Sequence, residues 1–130
     1  MKKKIIYFIL ICFFFTISLL ISTPYRNYIY TNKIEDFGLA DVGNNIFAVT
    51  VISLISWIGA FKFSNNKIID ILIFTAIYIV LEILSYFFSI FGTFDYKDII
   101  ALLCGSFLAI VLLYLFEKEN FHNNIKGLNK

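Results

Sequence analysis

Two apolar runs, residues 68–91 and 99–116, flank the short acidic segment Gly92-Thr93-Phe94-Asp95-Tyr96-Lys97-Asp98. Each run is about long enough to cross a bilayer, which takes ~20 predominantly apolar residues. A backbone in hydrocarbon must satisfy its hydrogen bonds within its own segment, so each run has to be a helix. A membrane barrel would need alternating strands of ~10 residues, and that pattern is absent. The hairpin therefore sets the fold class as all-α.

Two further runs, residues 5–22 and 45–63, complete a four-helix polytopic transmembrane bundle. The chain is read as one membrane domain over residues 1–130, with 117–130 a polar tail. Charged residues make up 15% of the chain, against about 25% in soluble domains. The mean hydropathy of +0.84 points the same way. A large soluble catalytic domain does not fit beside four spans in 130 residues. A net charge of +2 is too small to argue for nucleic acid.

The basic start Met1-Lys2-Lys3-Lys4 and the run after it resemble a signal peptide. That run is 18 residues, longer than the ~7–15 of a signal's apolar core, and no small-residue cleavage site follows. Cys12 follows the bulky Ile11, which argues against lipid attachment. The segment is expected to stay as the first helix. Residues 23–44 read as the longest polar stretch, holding Pro24 and the belt-like Tyr25, Tyr28 and Tyr30. Asp41, Asn44 and Asn45 are rival caps for the second helix. Residues 64–67 form a polar turn, and Asp70 suits the dipole of the third helix. Cys12 and Cys104 are expected to be buried thiols acting as small hydrophobes. The single His122 lies in the tail, and no ligand cluster suggests a metal or another cofactor.

Orientation follows the placement of Lys and Arg. With the N-terminus inside, the inner segments carry eight basic residues and the outer ones carry three, Arg26, Lys33 and Lys97. Both termini are therefore expected in the cytoplasm. Glu35, Asp36, Asp41, Asp95 and Asp98 then share the outer side.

Glu82 is the ionisable group set deepest, the fifteenth of the 24 residues from 68 to 91. At ~1.5 Å per residue it falls near the midplane, slightly toward the outer side. Insertion there costs an acidic group ~2.5–3.5 kcal/mol, so such groups usually face the bundle interior or water. Thr75, Tyr78, Glu82, Ser85 and Ser89 follow a 3-4-3-4 spacing and share one helix face. A functional reading makes Glu82 a ligand-binding or proton-carrying carboxyl. A scaffold reading makes it a hydrogen-bonded acid that locks helices together.

Ala101, Gly105 and Ala109 recur at spacing four in the last helix, a face that lets another helix approach closely. Asp98 lies one turn before Ala101 on that face. It is expected either at the mouth of the groove into which Glu82 points or as the cap of the last helix. Asp95 reads as a further acid of that site or as a solvated turn residue. Gly92 permits the sharp turn. No nucleophile–base pair or phosphate loop is present, so an enzyme is not expected.

At these residues the chain resembles the VanZ-like family of small bacterial membrane proteins, named for a teicoplanin-resistance accessory protein. The family pattern has an acid late in one helix, matched by Glu82. An aromatic-Asp-x-x-Asp turn follows, matched from Phe94 through Asp95 to Asp98, and then a glycine matched by Gly105. Asn45 is similar to the Asn that opens the preceding helix, and Asp41 to a polar residue just before it. Thr93 stands where an Arg is frequent, Leu102 where the pattern has Asn, and Ser85-Tyr86 in place of a Gln. The resemblance implies a bacterial inner (cytoplasmic) membrane protein with an envelope role touching cell-wall or lipid-linked precursors.

Together these features lead to an outward-facing acidic pocket lined by Glu82, Asp98, Asp95, Asp41, Tyr78 and Asn45. It would bind or modulate an envelope lipid or glycolipid without covalent chemistry. An accessory subunit of a larger membrane complex and a proton- or cation-coupled carrier are the competing readings. The partners are the bilayer, a lipid-linked ligand, and a membrane protein or a second copy.

Overall fold

The computed structural model of the chain describes residues 2–59, 61–88, 94–118, 121 and 125. Its order is α1 (Lys2–Leu20), a π-helical turn (Ile21–Tyr25), α2 (Arg26–Asn32), α3 (Leu39–Ile58), α4 (Lys67–Phe87) and α5 (Tyr96–Phe116). No strand occurs among the described residues. Four segments there are long and apolar enough to cross a membrane: Lys3–Asn32, Leu39–Ile58, Lys67–Phe87 and Tyr96–Phe116. The chain is thus an all-helical multi-pass membrane protein. Ser89, Gly92, Thr93, His122 and most of the expected tail lie outside the described residues.

The helices alternate in direction. Tyr7 of α1 meets Trp57 at the end of α3, and Asn45 near the start of α3 meets Asp98 at the start of α5. One end of the bundle, here the near end, carries Lys3, Gly59, the 61–66 turn and Phe116. The far end carries residues 33–38 and the start of α5. α3 is the central helix and packs against α1, α4 and α5. Val49, Leu54, Ile71, Leu102, Ala109 and Leu113 are fully buried between them.

Several boundaries differ from the expected ones. Residues 23–32 are not a polar connection but the continuation of the first helix, which runs over 30 residues from Lys3 to Asn32. Pro24 cannot donate to the helix ladder, and its ring crowds the preceding turn. A π-turn widens the helix there, and the Arg26 N–H reaches back to the Ile21 carbonyl. Ser22 and Thr23 hydroxyls donate to the Leu19 carbonyl at 3.2 and 3.0 Å. Two side-chain donors thus serve one backbone acceptor, the Leu19 carbonyl, just before the distorted turn.

α3 starts at Leu39, six residues before the expected Asn45. None of the three rival residues caps it. The Asp36 carboxylate instead accepts from the Gly38 and Ala40 N–H groups at 3.0 and 2.6 Å. α3 ends at Ile58 rather than near residue 63, with Gly59 in the left-handed region. α4 ends at Phe87, and Phe88 is already extended. α5 starts at Tyr96, so its cap is Asp95, whose carboxylate accepts from the Lys97 N–H at 2.9 Å.

The small face of α5 lies on α3. A Cβ at Gly105 would fall 2.2 Å from the Ile46 carbonyl oxygen, so only glycine permits this approach. The Thr50 hydroxyl donates across the contact to the Gly105 carbonyl at 3.0 Å. The two cysteines are not buried as expected. Cys12 and Cys104 are exposed on the outer surface of the bundle, on apolar spans that face lipid.

Candidate functional site

The far end gathers polar groups from α3, α4 and α5. Asn45 stands on α3, Glu82 on α4, Asp95 at the cap of α5 and Asp98 in its first turn. The Asn45 amide donates to Asp98 Oδ1 at 2.7 Å. The Asp95 N–H points at Glu82 Oε1, 3.4 Å away. Asp98 stands in the first turn after the Asp95 N–H that faces Glu82, so the two acids are neighbours across α4 and α5. Because Asp95 takes the capping role, Asp98 is released from it and turns toward α3 and α4.

The depth of Glu82 differs from the expected midplane position. α4 ends at Phe87, five residues beyond Glu82, a distance of ~7.5 Å along the axis. The carboxyl thus lies toward the far-end edge of the apolar layer. Its helix face is the expected polar one. Thr75 and Ser85 are buried on it, and Leu72, Ile77, Val80 and Ile83 on the other faces are exposed. Thr75 and Ser85 spend their hydroxyls on the Ile71 and Glu82 carbonyls of their own helix.

Tyr78 lies elsewhere. It flanks a groove between α1, α3 and α4 beside Phe15, Ser18, Asn44 and Phe47, against the apolar core. No hydrogen bond joins it to Glu82 among the described residues. In that groove the Ser18 hydroxyl donates to the Asn44 side-chain oxygen, which ties α1 to α3.

Asp41 is also set apart. It pairs with Arg26 at 3.1 Å and accepts from the Tyr30 hydroxyl at 2.7 Å. It borders a cleft of about 390 Å³ between α2, residues 33–38, the start of α3 and Lys97. The structure therefore joins Glu82, Asp98, Asp95 and Asn45 directly, with Asp41 in the neighbouring cleft and Tyr78 in a separate groove.

Two polar centres were missed from the sequence, both at the near end. Asp70, 1% exposed, accepts from the Ser56 hydroxyl at 2.8 Å and from the Phe63 and Ser64 N–H groups at 3.1 and 2.7 Å. It holds the 61–66 turn onto the bundle, beyond its expected effect on the helix dipole. Glu117, 5% exposed, accepts from the Tyr7 hydroxyl and pairs with Lys67. The Lys67 ammonium stands 5.6 and 5.5 Å from the Tyr7 and Trp57 ring centres. One signal was available. Tyr7, Trp57, Lys67 and Glu117 all sit at span ends that an alternating bundle brings to one level.

Two adjacent carboxyls beside one neutral amide have limited chemistry. Two negative charges that close repel, and a proton or a cationic group between them relieves the repulsion. Among the described residues no group of three or more His, Cys, Asp or Glu is placed to hold a metal ion. The far end thus defines a small multi-pass protein with an interhelical carboxyl pair at the edge of its apolar layer. Compared with family models, with curated proteins and with solved structures, the chain matches none.

Proposed function

We propose that this is a VanZ-like protein of the bacterial cytoplasmic membrane. Its far-end acids bind or modulate an envelope lipid or glycolipid, without covalent chemistry. The observation that carries the reading is the contact of Asn45 with Asp98 beside Glu82, three polar side chains from three helices converging at one level. Such a pair accepts an ammonium or hydroxyl donor, groups that envelope lipids and glycolipids carry. The eight-to-three excess of basic residues supports an orientation with the near end in the cytoplasm and the acids outside. The aromatic-Asp-x-x-Asp turn at Phe94 to Asp98, Glu82 and Gly105 support the family assignment, and with it a part in glycopeptide tolerance.

The test is purification in a mild detergent, followed by extraction and mass spectrometry of what remains bound. A lipid or glycolipid retained by the wild type and lost from Glu82→Gln and Asp98→Asn supports the reading. A stoichiometric protein partner with no such lipid would favour the accessory subunit instead. Proton- or cation-driven flux in reconstituted vesicles, abolished by Glu82→Gln, would favour the carrier.

A further inference from the structure

The cleft beside Asp41 is a site of different chemistry. Its carboxylates and its cations are not in the same condition. Asp36 is committed to the Gly38 and Ala40 N–H groups, and Asp41 to Arg26 and Tyr30. Lys33 and Lys97 also line it, and neither ammonium has a carboxylate partner among the described residues. Lys97 comes from α5, yet it reaches the 33–38 segment. Its ammonium lies 3.0 Å from where a Cβ on Gly38 would be, so the absent side chain lets it lie across that residue. Glu35 is the remaining carboxylate of the lining and sits exposed. Two lysines line the cleft of about 390 Å³, the Lys97 ammonium lies over Gly38, and neither lysine is ion-paired among the described residues, a setting that suits a phosphate.

The level of the cleft in the membrane points to the source of that phosphate. Thirty helical residues from Lys3 to Asn32 measure ~45 Å, against ~30 Å of hydrocarbon. With Lys3 and Lys4 at one boundary, the last turns of α2 stand beyond the other, among the headgroups. Tyr28 and Tyr30 are exposed there, as an aromatic belt requires. Phe37 borders the same cleft, 97% exposed and at φ 58°. A bulky side chain in the left-handed region is uncommon. Water gives an apolar ring no return for that conformation, whereas the interfacial layer of a bilayer does.

We propose that this cleft binds the phosphate of an anionic phospholipid headgroup, with Lys33 and Lys97 as its cationic contacts and Phe37 seated in the membrane beside it. The site is separate from the Glu82–Asp98 pair and does not depend on the function assigned to that pair.

The test uses the full chain in dodecyl maltoside, titrated with dioctanoyl phosphatidylglycerol and read by native mass spectrometry and thermal unfolding. The expected result is one lipid bound and a raised melting temperature. Dioctanoylglycerol, which lacks the phosphate, should give neither. Soluble glycerol phosphate separates the sources. Weak or absent binding marks a lipid headgroup, and binding equal to the lipid's overturns the lipid assignment in favour of a soluble phosphate ester. Lys33→Gln, at an exposed position, should weaken lipid binding, and Lys33→Gln with Lys97→Gln should weaken it by about tenfold or more. Both should melt like wild type without lipid, and Lys62→Gln at the near end should bind normally. Lipid binding unchanged in the double variant would overturn the proposal.

Discussion

At position 105 the backbone of α3 leaves room for a hydrogen and nothing more. The Ile46 carbonyl oxygen occupies the place of a side chain, and the Thr50 hydroxyl bonds across the same contact. Gly105→Leu must separate the helices and break that bond. The expected loss is more than about 2 kcal/mol of stability in detergent, measured by chemical or thermal unfolding. Leu103 is exposed two residues earlier. Leu103→Phe should stay within about 0.5 kcal/mol. This contact was readable in the sequence because small residues at spacing four have one dominant use in membrane helices. The role of Asp70 was not. The N–H groups of Phe63 and Ser64, which donate to it, precede it in a turn whose path has no sequence signature.

Among the elements, the first helix departs furthest from expectation. A proline within ten mostly polar residues ordinarily marks the end of a helix. Here the π-turn at Ile21–Tyr25 absorbs Pro24, and the polar residues of α2 suit the level beyond the hydrocarbon. A thiol-labelling scan tests this directly. In a variant lacking Cys12 and Cys104, single cysteines at Tyr28 and Tyr30 should react readily with a water-soluble reagent. A cysteine at Ile29, which is buried, should react several-fold more slowly. Equal rates at all three positions would indicate an irregular connection rather than α2. The four spans themselves were evident, because hydropathy over ~20 residues is a strong signal. The start of α3 was not, because Asp36 caps it from three residues before Leu39, behind the left-handed pair Phe37 and Gly38.

On the scale of the whole molecule the two ends differ in kind. The near end is closed by Glu117, Lys67, Tyr7 and Trp57 and by the buried Asp70. The far end carries the carboxyl pair and the lysine-bearing cleft. Reporter fusions after Lys67 and at Lys130 should report cytoplasm, and fusions near Lys33 and Asp95 should report the outside. Reversed signals would turn the carboxyl pair toward the cytoplasm and overturn the proposed envelope-facing role. The convergence of Glu82, Asp95, Asp98 and Asn45 was anticipated because an acid in an apolar helix needs a polar neighbour. Tyr78 was grouped with them by helical spacing alone, and spacing does not distinguish the two sides of a polar stripe. Tyr78 turns to the α1 side and Glu82 to the α5 side.

The measurement that bears most directly on the account is complementation of a gene deletion by Glu82→Gln, with abundance and melting temperature of the variant determined in parallel. Gln keeps the size and much of the hydrogen-bonding capacity of the acid, so the bundle should assemble and melt like wild type. A carboxyl that meets a proton or a cationic group has no substitute in an amide. The account predicts normal abundance, a melting temperature near wild type, and failure to restore resistance to glycopeptide or envelope stress. Full complementation by Glu82→Gln, from a protein equally abundant and stable, would contradict it and leave the carboxyl as scaffold.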